Sequence, residues 1–228
     1  LRAVVSRRRG RCFATASPGM SRRIVPLHMA MWSAKEEGFT SENDKVPEVI
    51  GKIARACEGR GIYVYDRGGD GNWLFDFFVK EGLEFIVRLV GDRHLLHWNA
   101  RRPAADLAGT GEMKCRDRVA FKSHGRELEV PIEYGSIPAR LPEHPAAGLR
   151  LVVVKWPRCE KPMMLLTTLR AARSRESLRQ AVEGYLTRWR VEETIRFVKQ
   201  AYEVEDVRLL RFGRLKAMVA IVLATAYF

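Results

Sequence analysis

The sequence lacks paired cysteines. Its four cysteines are widely scattered, and no two of them have the two-residue spacing of a zinc ribbon or a redox motif. They are Cys12, Cys57, Cys115 and Cys159. This spacing indicates neither a structural zinc site nor a disulfide framework, and it suits a protein of a reducing compartment.

Histidine metal motifs and membrane-spanning runs are missing too. His94 and His97 lie close together, but no carboxylate–histidine zinc pattern surrounds them, so we do not assign them a metal. The longest apolar run, residues 217–228, is twelve residues long. A helix needs about 20 apolar residues to span a bilayer, so this run is too short.

Acidic residues are absent from the first 35 positions. Residues 1–23 instead carry seven arginines between Ser, Ala and Gly, and they show neither a strand nor a helix period. Three interpretations are open for this segment: an organelle transit peptide, a disordered basic arm, or a damaged or misread stretch.

Positive charge is what the chain has in excess. Forty Lys and Arg residues against 27 Asp and Glu give a net charge of +13. That balance favours a polyanionic partner, most often nucleic acid, although a solvated basic surface would have the same composition. The 228 residues and 46% hydrophobic content permit one elaborated domain or two small ones, with a real core.

Proline is absent after Pro162, and the stretch 174–202 is rich in Arg, Glu, Gln, Leu and Ala. This composition predicts a long helix, with Ser174 as its N-cap. On that helix Tyr185, Arg188, Glu192 and Lys199 fall within roughly 60° of arc, because a residue turns the helix by about 100°. One narrow stripe therefore carries a phenol, a guanidinium, a carboxylate and an ammonium.

The side chains beside this stripe are apolar. Val182, Leu186, Trp189 and Phe197 are expected to seat the helix on a core. For Arg188 and Glu192 the ordinary interpretation is an i,i+4 pair on a solvated face, which stabilises a helix by a few tenths of a kcal/mol. The four stripe residues together are harder to explain in that way.

Tyr185, Arg188, Glu192 and Lys199 match every position of a Tyr-x2-Arg-x3-Glu-x6-Lys signature, and here the sequence resembles the DDE insertion-sequence transposases that carry it. The resemblance implies that Glu192 is the last metal-binding carboxylate and that Tyr185, Arg188 and Lys199 bind phosphates of transposon-end DNA. It begins only near residue 23, so we favour the third interpretation of the basic segment.

A second candidate carboxylate ends a short strand. Residues 61–66 (GIYVYD) are β-rich, and a glycine-rich turn, residues 67–71, follows Asp66. An acid where a strand ends is well placed to hold a cation, although a turn or capping role is the commonest for such an Asp. The stretch VYDRGGD resembles the family's second catalytic aspartate, which implies a metal-binding role for Asp66. We interpret Asp70 as turn or N-cap chemistry.

The other elements follow from local patterns. We expect strands at 24–32, 83–90 and 163–169 and helices at 73–80 and 209–228. Pro26 indicates an edge strand, and residues 33–43 are loop-like. Asp44 is the expected cap of a helix that ends near Cys57 and has Pro47 in its first turn.

Prolines, glycines and short alternating runs such as 127–133 and 149–156 predict a β-rich insertion between residues 92 and 162. Trp98 or Trp156 could stack on an unpaired base there, although an isolated Trp is more often core. We predict that Trp156 contacts DNA. The division is thus an irregular segment 1–23, a first core part 24–91, the insertion, and a last part 163–228.

The order of strands and helices fits an α/β fold, and the resemblance implies an RNase H-like core. It also implies phosphoryl transfer with two Mg²⁺ ions held by carboxylates, here Asp66 and Glu192. The family's first acid lies on a strand before Ile24, where this chain has no acid. We therefore expect a transposase fragment that is inactive alone. The rivals are a non-catalytic DNA-binding remnant and another RNase H-like nuclease.

The partners implied by the resemblance are double-stranded DNA, both transposon ends and target, and a second copy of the chain in a synaptic complex. No membrane partner is expected. The implied location is the cytoplasm of a prokaryote, in association with the nucleoid.

Overall fold

The computed structural model describes residues 2–8, 11–17, 25–33, 35–123, 126–157, 159–168, 174–202 and 211–227. Two compact units divide the chain. Residues 61–186 form the first, called here the central unit, and residues up to 60 together with those from 187 onward form the second, called the terminal unit.

The strands, in chain order, are β1 (Arg2–Arg8), β2 (Arg11–Ser17), β3 (Val25–Met31), β4 (Ile62–Tyr65), β5 (Glu84–Arg88), β6 (His94–His97), β7 (Ala100–Pro103), β8 (Cys115–Ser123), β9 (Arg126–Leu141), β10 (His144–Lys155) and β11 (Met163–Thr167). The helices are α1 (Glu42–Ala56), α2 (Asn72–Lys80), α3 (Ala104–Thr110), α4 (Arg175–Ala201) and α5 (Phe212–Tyr227). Among these described helices, none combines the length and the apolar character that crossing a bilayer requires.

The terminal unit contains an antiparallel ladder of β1, β2 and β3. Residues 2–8 pair with residues 11–17 in a register that runs from Arg2 opposite Ser17 to Arg8 opposite Arg11. This corrects the interpretation of residues 1–23 as lacking any strand: pairing with a neighbour, rather than the local alternation of side chains, decides strand formation. The predicted strand at 24–32 is confirmed as β3, which is the edge strand of the ladder. Pro26 is tolerated there because a proline has no backbone N–H to donate to a neighbouring strand.

Helix α1 begins at a different residue from the one predicted. Ser41 is the N-cap, and its Oγ accepts the N–H of Asp44 at 3.2 Å. Asp44 lies in the first turn, where its carboxylate accepts the hydroxyls of Thr40 and Ser41 at 2.7 and 2.9 Å. These hydrogen bonds lower the pKa of Asp44. The prediction of Asp44 as the cap is therefore wrong, because the preceding Ser forms the reciprocal capping arrangement. Pro47 lies in the second turn, not the first.

Helix α5 confirms the predicted closing helix and packs through one side. Val219 is its buried residue. The partly buried side chains around it come from the end of β3, the residue that follows α4, and α5 itself: Met31, Tyr202, Leu215, Met218, Val222 and Leu223. At the surface of this unit Lys216 donates to Glu36 at 2.8 Å, which ties α5 to the loop after β3.

The central unit is built on a mixed sheet. β4 and β5 are parallel, with Tyr65 opposite Val87, and α2 forms the connection between them. β11 then joins β5 in the antiparallel sense. All four residues of β4 and all five of β11 are buried. Phe78 of α2 stacks on Phe85 of β5 with ring centroids 5.0 Å apart, so aromatic packing holds the helix on the sheet. The predicted strands at 61–66, 83–90 and 163–169 are confirmed.

The stretch 92–162 contains β6 to β10 and the short helix α3. β9 and β10 form a long hairpin, β8 pairs with the other edge of β9, and the β6–β7 hairpin joins β9 through Leu96 opposite Arg140. The alternating runs at 127–133 and 149–156 fall on β9 and β10, as predicted. Helix α3 was not predicted, since Gly109 and Thr110 are poor helix formers in so short a segment.

Asp70 has a structural role that the sequence does not suggest. Its side chain is only 2% exposed. One carboxylate oxygen accepts the backbone N–H of Val90 and the other accepts Nε of Arg93, both at 2.6 Å. Arg93 also donates to Asn72 at 2.6 Å. Asp70 therefore fastens the turn after β4 to the chain after β5. Asp70 was predicted to serve in a turn or as an N-cap. The turn role is confirmed, since its backbone N–H donates to the carbonyl oxygen of Arg67 at 3.2 Å, whereas the N-cap of α2 is Gly71.

We predict that Asp70→Ala destabilises the protein by about 3 kcal/mol. The substitution removes the carboxylate that accepts from the largely buried guanidinium of Arg93 and from the backbone N–H of Val90. Urea unfolding measures the change. Asp92→Ala is the matched control: Asp92 is exposed, and its loss should cost no more than about 0.5 kcal/mol. Equal stabilities of the two variants would contradict the role assigned to Asp70.

Candidate functional site

Asp66 lies where the buried strand β4 ends. Its Oδ1 accepts the N–H of Gly68 at 2.9 Å and so caps a short 3₁₀ helix, Arg67–Gly69. A Cβ on Gly69 would overlap the rings of Tyr65, and it would lie 2.8 Å from Leu74, so only glycine fits this turn. The capping role that the residue type favours is thus present. The Asp66 side chain is half-buried at the end of the strand.

Helix α4 begins as predicted. Ser174 Oγ accepts the N–H of Ser177 at 3.3 Å, and the first helical bond runs from Leu178 N to Ser174 O at 3.0 Å. The helix starts in the central unit and ends in the terminal unit. It is the element that carries the four signature residues.

Two arginines of the first turns of α4 hold it against the insertion. Arg175 and Arg179 lie 3.4 and 3.8 Å from Oδ1 of Asp117 on β8. The other oxygen of Asp117 accepts the hydroxyl of the buried Tyr134 at 2.5 Å. This hydrogen bond, and then the two arginines, lower the pKa of Asp117, while burial and the same bond raise the pKa of Tyr134. The start of α4 is thereby fixed to β8 and β9.

Arg188 and Glu192 are brought together on α4. Arg188 Nη1 donates to Glu192 Oε1 at 2.7 Å, and the side chains are 6% and 29% exposed. A solvated surface pair would have both side chains in water, so the ordinary interpretation of this i,i+4 pair is wrong here. A guanidinium stays charged when buried, and it therefore needs a carboxylate close by.

The environment of the stripe differs from the prediction in two places. Tyr185 is only 1% exposed, so the phenol lies inside the protein and not on an open face. Phe197 was expected to pack on the core but is 60% exposed, because the helix turns that side chain to solvent. Val182 is buried and Leu186 is half-buried, which agrees with the prediction, and Lys199 is half-buried. Of Trp189 only the backbone is described.

Sequence reasoning missed Arg88, the last residue of β5. Its Nη1 lies 3.5 Å from the hydroxyl of Tyr185, and its Cζ lies 6.0 Å from the centre of that ring. In the parallel register Tyr65 faces Val87, so Asp66 and Arg88 occupy the next position on neighbouring strands. The sequence did contain a signal for Arg88: it is the single basic residue of the otherwise apolar run LEFIVRLV, near the carboxyl end of its strand. Asp66 lies at the carboxyl end of the neighbouring parallel strand.

The two tryptophans considered for base stacking, Trp98 and Trp156, differ in their exposure to solvent. Trp156, which we predict to contact DNA, is half-buried just after β10. Trp98 lies at the tip of the β6–β7 hairpin and is 85% exposed. His97 beside it lies with Nδ1 at 2.7 Å from the carbonyl oxygen of Pro138, which fixes the proton on Nδ1.

The two candidate carboxylates are the kind of ligand that a hard divalent ion prefers, but they are fewer than the three acids that the family's site requires. Asp66 and Glu192 offer the carboxylate oxygens that Mg²⁺ prefers. Within the part of the chain that the structure describes, no group of three His, Cys, Asp or Glu side chains is placed to hold an ion. The residues of β1, β2 and β3 include no acid. That Asp66 and Glu192 hold the same ions stays a prediction.

Comparison with known proteins agrees with these observations. The family model described as Transposase DDE domain matches residues 29–228. A search of curated proteins finds no match to the chain. The α/β fold class with a mixed sheet is confirmed, and it is the one expected of an RNase H-like domain of this kind. The match covers all residues from β4 to α5, including Asp66 and the signature helix, and the chain therefore belongs to the family of transposase DDE domains.

Proposed function

We propose that this chain is a catalytic domain of the insertion-sequence transposases of the Tyr-Arg-Glu-Lys branch, which cut and join transposon-end DNA by phosphoryl transfer, and that its two candidate carboxylates do not support this reaction by themselves. The observation that carries the proposal is the ion pair of Arg188 and Glu192, 2.7 Å apart on the helix that bears the complete signature. Burial of a charged pair on a helix is costly, so its presence points to a function beyond stability.

Asp66 and Glu192 are the proposed metal ligands. Bound Mg²⁺ ions supply activation of the attacking oxygen and stabilisation of the leaving oxygen. The protein's part is to fix two carboxylates: Asp66 through the tight turn after β4, and Glu192 through its hydrogen bond to Arg188. The expected cofactor is therefore a pair of divalent ions, and the intact site needs a third acid to hold them.

Tyr185, Arg188 and Lys199 are the proposed phosphate ligands, and we add Arg88 to them. An arginine binds phosphate through two parallel N–H donors, and Tyr185 restricts the guanidinium of Arg88 by its ring and its hydroxyl. Trp156 stays a candidate DNA contact. The proposed partners are duplex DNA and a second copy of the chain that holds the other transposon end.

A non-catalytic DNA-binding protein is the second candidate. What favours it is that the acid-free strands β1 to β3 leave the expected first metal ligand without a carboxylate. Metal-dependent nicking separates the two functions. The complete signature on α4 argues against a third function, that of another RNase H-like nuclease, because such a nuclease would not need these four residues.

The first prediction concerns duplex binding. The chain, with a net charge of +13, should bind DNA with an affinity that falls steeply as salt rises, by about 0.9 in log K per log unit of salt for each phosphate contact. Lys199→Ala should lower that slope by about one unit. Fluorescence anisotropy over a salt series measures both quantities.

Lys80→Ala is the matched control, because Lys80 also lies in the last turn of a helix, α2, and is exposed. The two substitutions change the helix-end electrostatics alike. A salt-insensitive affinity, or an equal slope for both variants, would contradict the proposed role of Lys199.

The second prediction concerns Arg88. Arg88→Ala should lower the salt slope by about one unit, as for one phosphate contact. Arg88→Lys should keep the slope but weaken binding, since a lysine keeps the charge without the two-donor geometry. Arg60→Ala is the control, because Arg60 is exposed and paired with Glu58. An Arg88→Ala variant that binds with the parent's slope would rule out the assignment.

The third prediction is that the 228-residue chain binds DNA but does not nick it. A missing carboxylate removes an oxygen ligand and charge from ions that lose water reluctantly. A misplacement of about 1 Å can already reduce a rate about a hundredfold. The assay incubates the purified chain with Mg²⁺ or Mn²⁺ and DNA that bears candidate ends.

Nicking that disappears in both Asp66→Ala and Glu192→Ala would show this prediction wrong, and it would mean that another group replaces the absent acid. Glu183→Ala, on the same helix and paired with Arg179, controls for damage to α4. Exchange of residues 1–23 for a strand with an aspartate of this family should restore nicking if the missing acid is the cause.

A further inference from the structure

Two of the candidate site residues lie just beyond the end of the parallel ladder. The last pair of β4 and β5 is Tyr65 with Val87. Asp66 and Arg88 are the next residues on these neighbouring strands, and both are half-buried. The ladder does not by itself fix the distance between the carboxylate and the guanidinium, because its register stops one residue before them.

Asp70 supplies the next connection between the same two segments. Its carboxylate accepts the backbone N–H of Val90 and Nε of Arg93, both at 2.6 Å. The side chain is only 2% exposed, so water competes little for either hydrogen bond. Asp66 and Arg88 are thus enclosed between the last ladder pair on one side and this carboxylate on the other.

The turn from Asp66 to Asp70 is short and bonded within itself. The N–H of Gly69 donates to the carbonyl oxygen of Asp66 at 2.9 Å, and that of Asp70 donates to the carbonyl oxygen of Arg67 at 3.2 Å. The carboxylate of Asp66 in turn accepts the N–H of Gly68. A displacement of Asp70 therefore moves Asp66 as well, because these hydrogen bonds join the two residues into one rigid turn.

The chain that follows Arg88 is held on both of its sides. The N–H of Leu89 donates to the carbonyl oxygen of Met164 on β11 at 2.9 Å. The next N–H, that of Val90, is the one that Asp70 accepts. The position of Arg88 therefore depends on a bond to β11 and on a bond to the turn after β4.

A buried carboxylate is a costly way to join two segments. Even a paired charge loses hydration free energy on burial, and well-packed apolar side chains often stabilise a protein more. What the hydrogen bonds of Asp70 add is direction, since such bonds weaken steeply when their geometry changes. They suit a role in which the relative position of the two segments matters more than stability.

We propose that Asp70 is a positioning residue, which sets the separation between the carboxylate of Asp66 and the guanidinium of Arg88. The inference rests on the proposed function, in which Asp66 holds a divalent ion and Arg88 binds a phosphate of the DNA. A phosphate that meets both the ion and the guanidinium requires their spacing to be held within about 0.5 Å.

The test asks whether the contribution of Arg88 to DNA binding depends on Asp70. Fluorescence anisotropy of the full chain with duplex DNA over a salt series gives the slope of log K against log salt. Arg88→Ala should lower that slope by about 0.9 in the parent, and by less than about 0.3 in an Asp70→Ala background. Lys199→Ala should lower it by about 0.9 in both backgrounds.

Asp70→Asn is the second variant, for the case in which Asp70→Ala does not fold. An asparagine has one acceptor oxygen where the aspartate has two, so it can accept from Val90 or from Arg93 but not from both. The contribution of Arg88 to the salt slope should then fall to about half of its value in the parent.

Thr167→Ala is the control for lost stability alone. Thr167 is buried, and its hydroxyl donates to the carbonyl oxygen of Phe85 at 2.7 Å, near the start of β5 and away from Arg88. This variant should be less stable but keep the whole contribution of Arg88. An equal contribution of Arg88 in the parent and in the Asp70 variants would overturn the proposal, and so would its loss in Thr167→Ala.

Heteronuclear NMR of the free chain gives a readout that does not depend on DNA. The Nε–Hε signal of Arg88, assigned by its absence in Arg88→Ala, should shift or broaden in Asp70→Asn and stay in place in Thr167→Ala. An unchanged signal in Asp70→Asn would overturn the proposal. A signal that responds to Asp70, together with a parent salt slope that Arg88→Ala leaves unchanged, would refute the proposed function and keep the positioning role.

Discussion

A buried guanidinium is the constraint around which the signature helix is arranged. Arg188 is only 5% exposed and cannot lose its charge, so removal of its partner would leave a charge in a poor solvent at a cost of several kcal/mol. Glu192 supplies that partner at 2.7 Å. In the same way the hydroxyl of Tyr185 is met by Arg88. Two pairs of the proposed ligands, Arg188 with Glu192 and Arg88 with Tyr185, therefore contact each other, and a ligand of either pair has to exchange that contact for its own.

The insertion contributes to this arrangement through charge. Asp117 lies on β8, far along the chain from the helix, yet it receives both Arg175 and Arg179 while the Tyr134 hydroxyl holds its second oxygen. A carboxylate with this many donors holds the first turns of α4 against β8 and β9. Where Tyr185 lies against β5 then follows from how the first turns are held. The insertion thus has a positioning role for the first turns of the signature helix, which carry Tyr185.

The features that could be predicted from the sequence are local ones. The buried run before Asp66, the cap Ser174 and the i,i+4 spacing of Arg188 and Glu192 are all set by neighbours within a few residues. Arg88 was missed because its partner Tyr185 lies 97 residues away. Phe197 was wrongly predicted to pack on the core, because the helical period shows which residues share a face of the helix but not which face packs against the rest of the protein. The strands at 2–17 were missed because pairing partners, which a single strand does not reveal, decide strand formation.

In the proposed function, the balance of charge among the candidate residues decides between binding DNA and cutting it. Asp66 and Glu192 bring two negative charges, whereas Arg88, Arg188 and Lys199 bring three positive ones, so the candidate residues sum to one positive charge at neutral pH. A third acid would bring that sum to zero. Without it the set attracts phosphate more strongly and divalent cations more weakly, since each missing carboxylate removes both an oxygen ligand and an attractive charge. On the proposed assignment, two acids leave a set of residues that favours the DNA backbone, and a third acid would add retention of divalent ions.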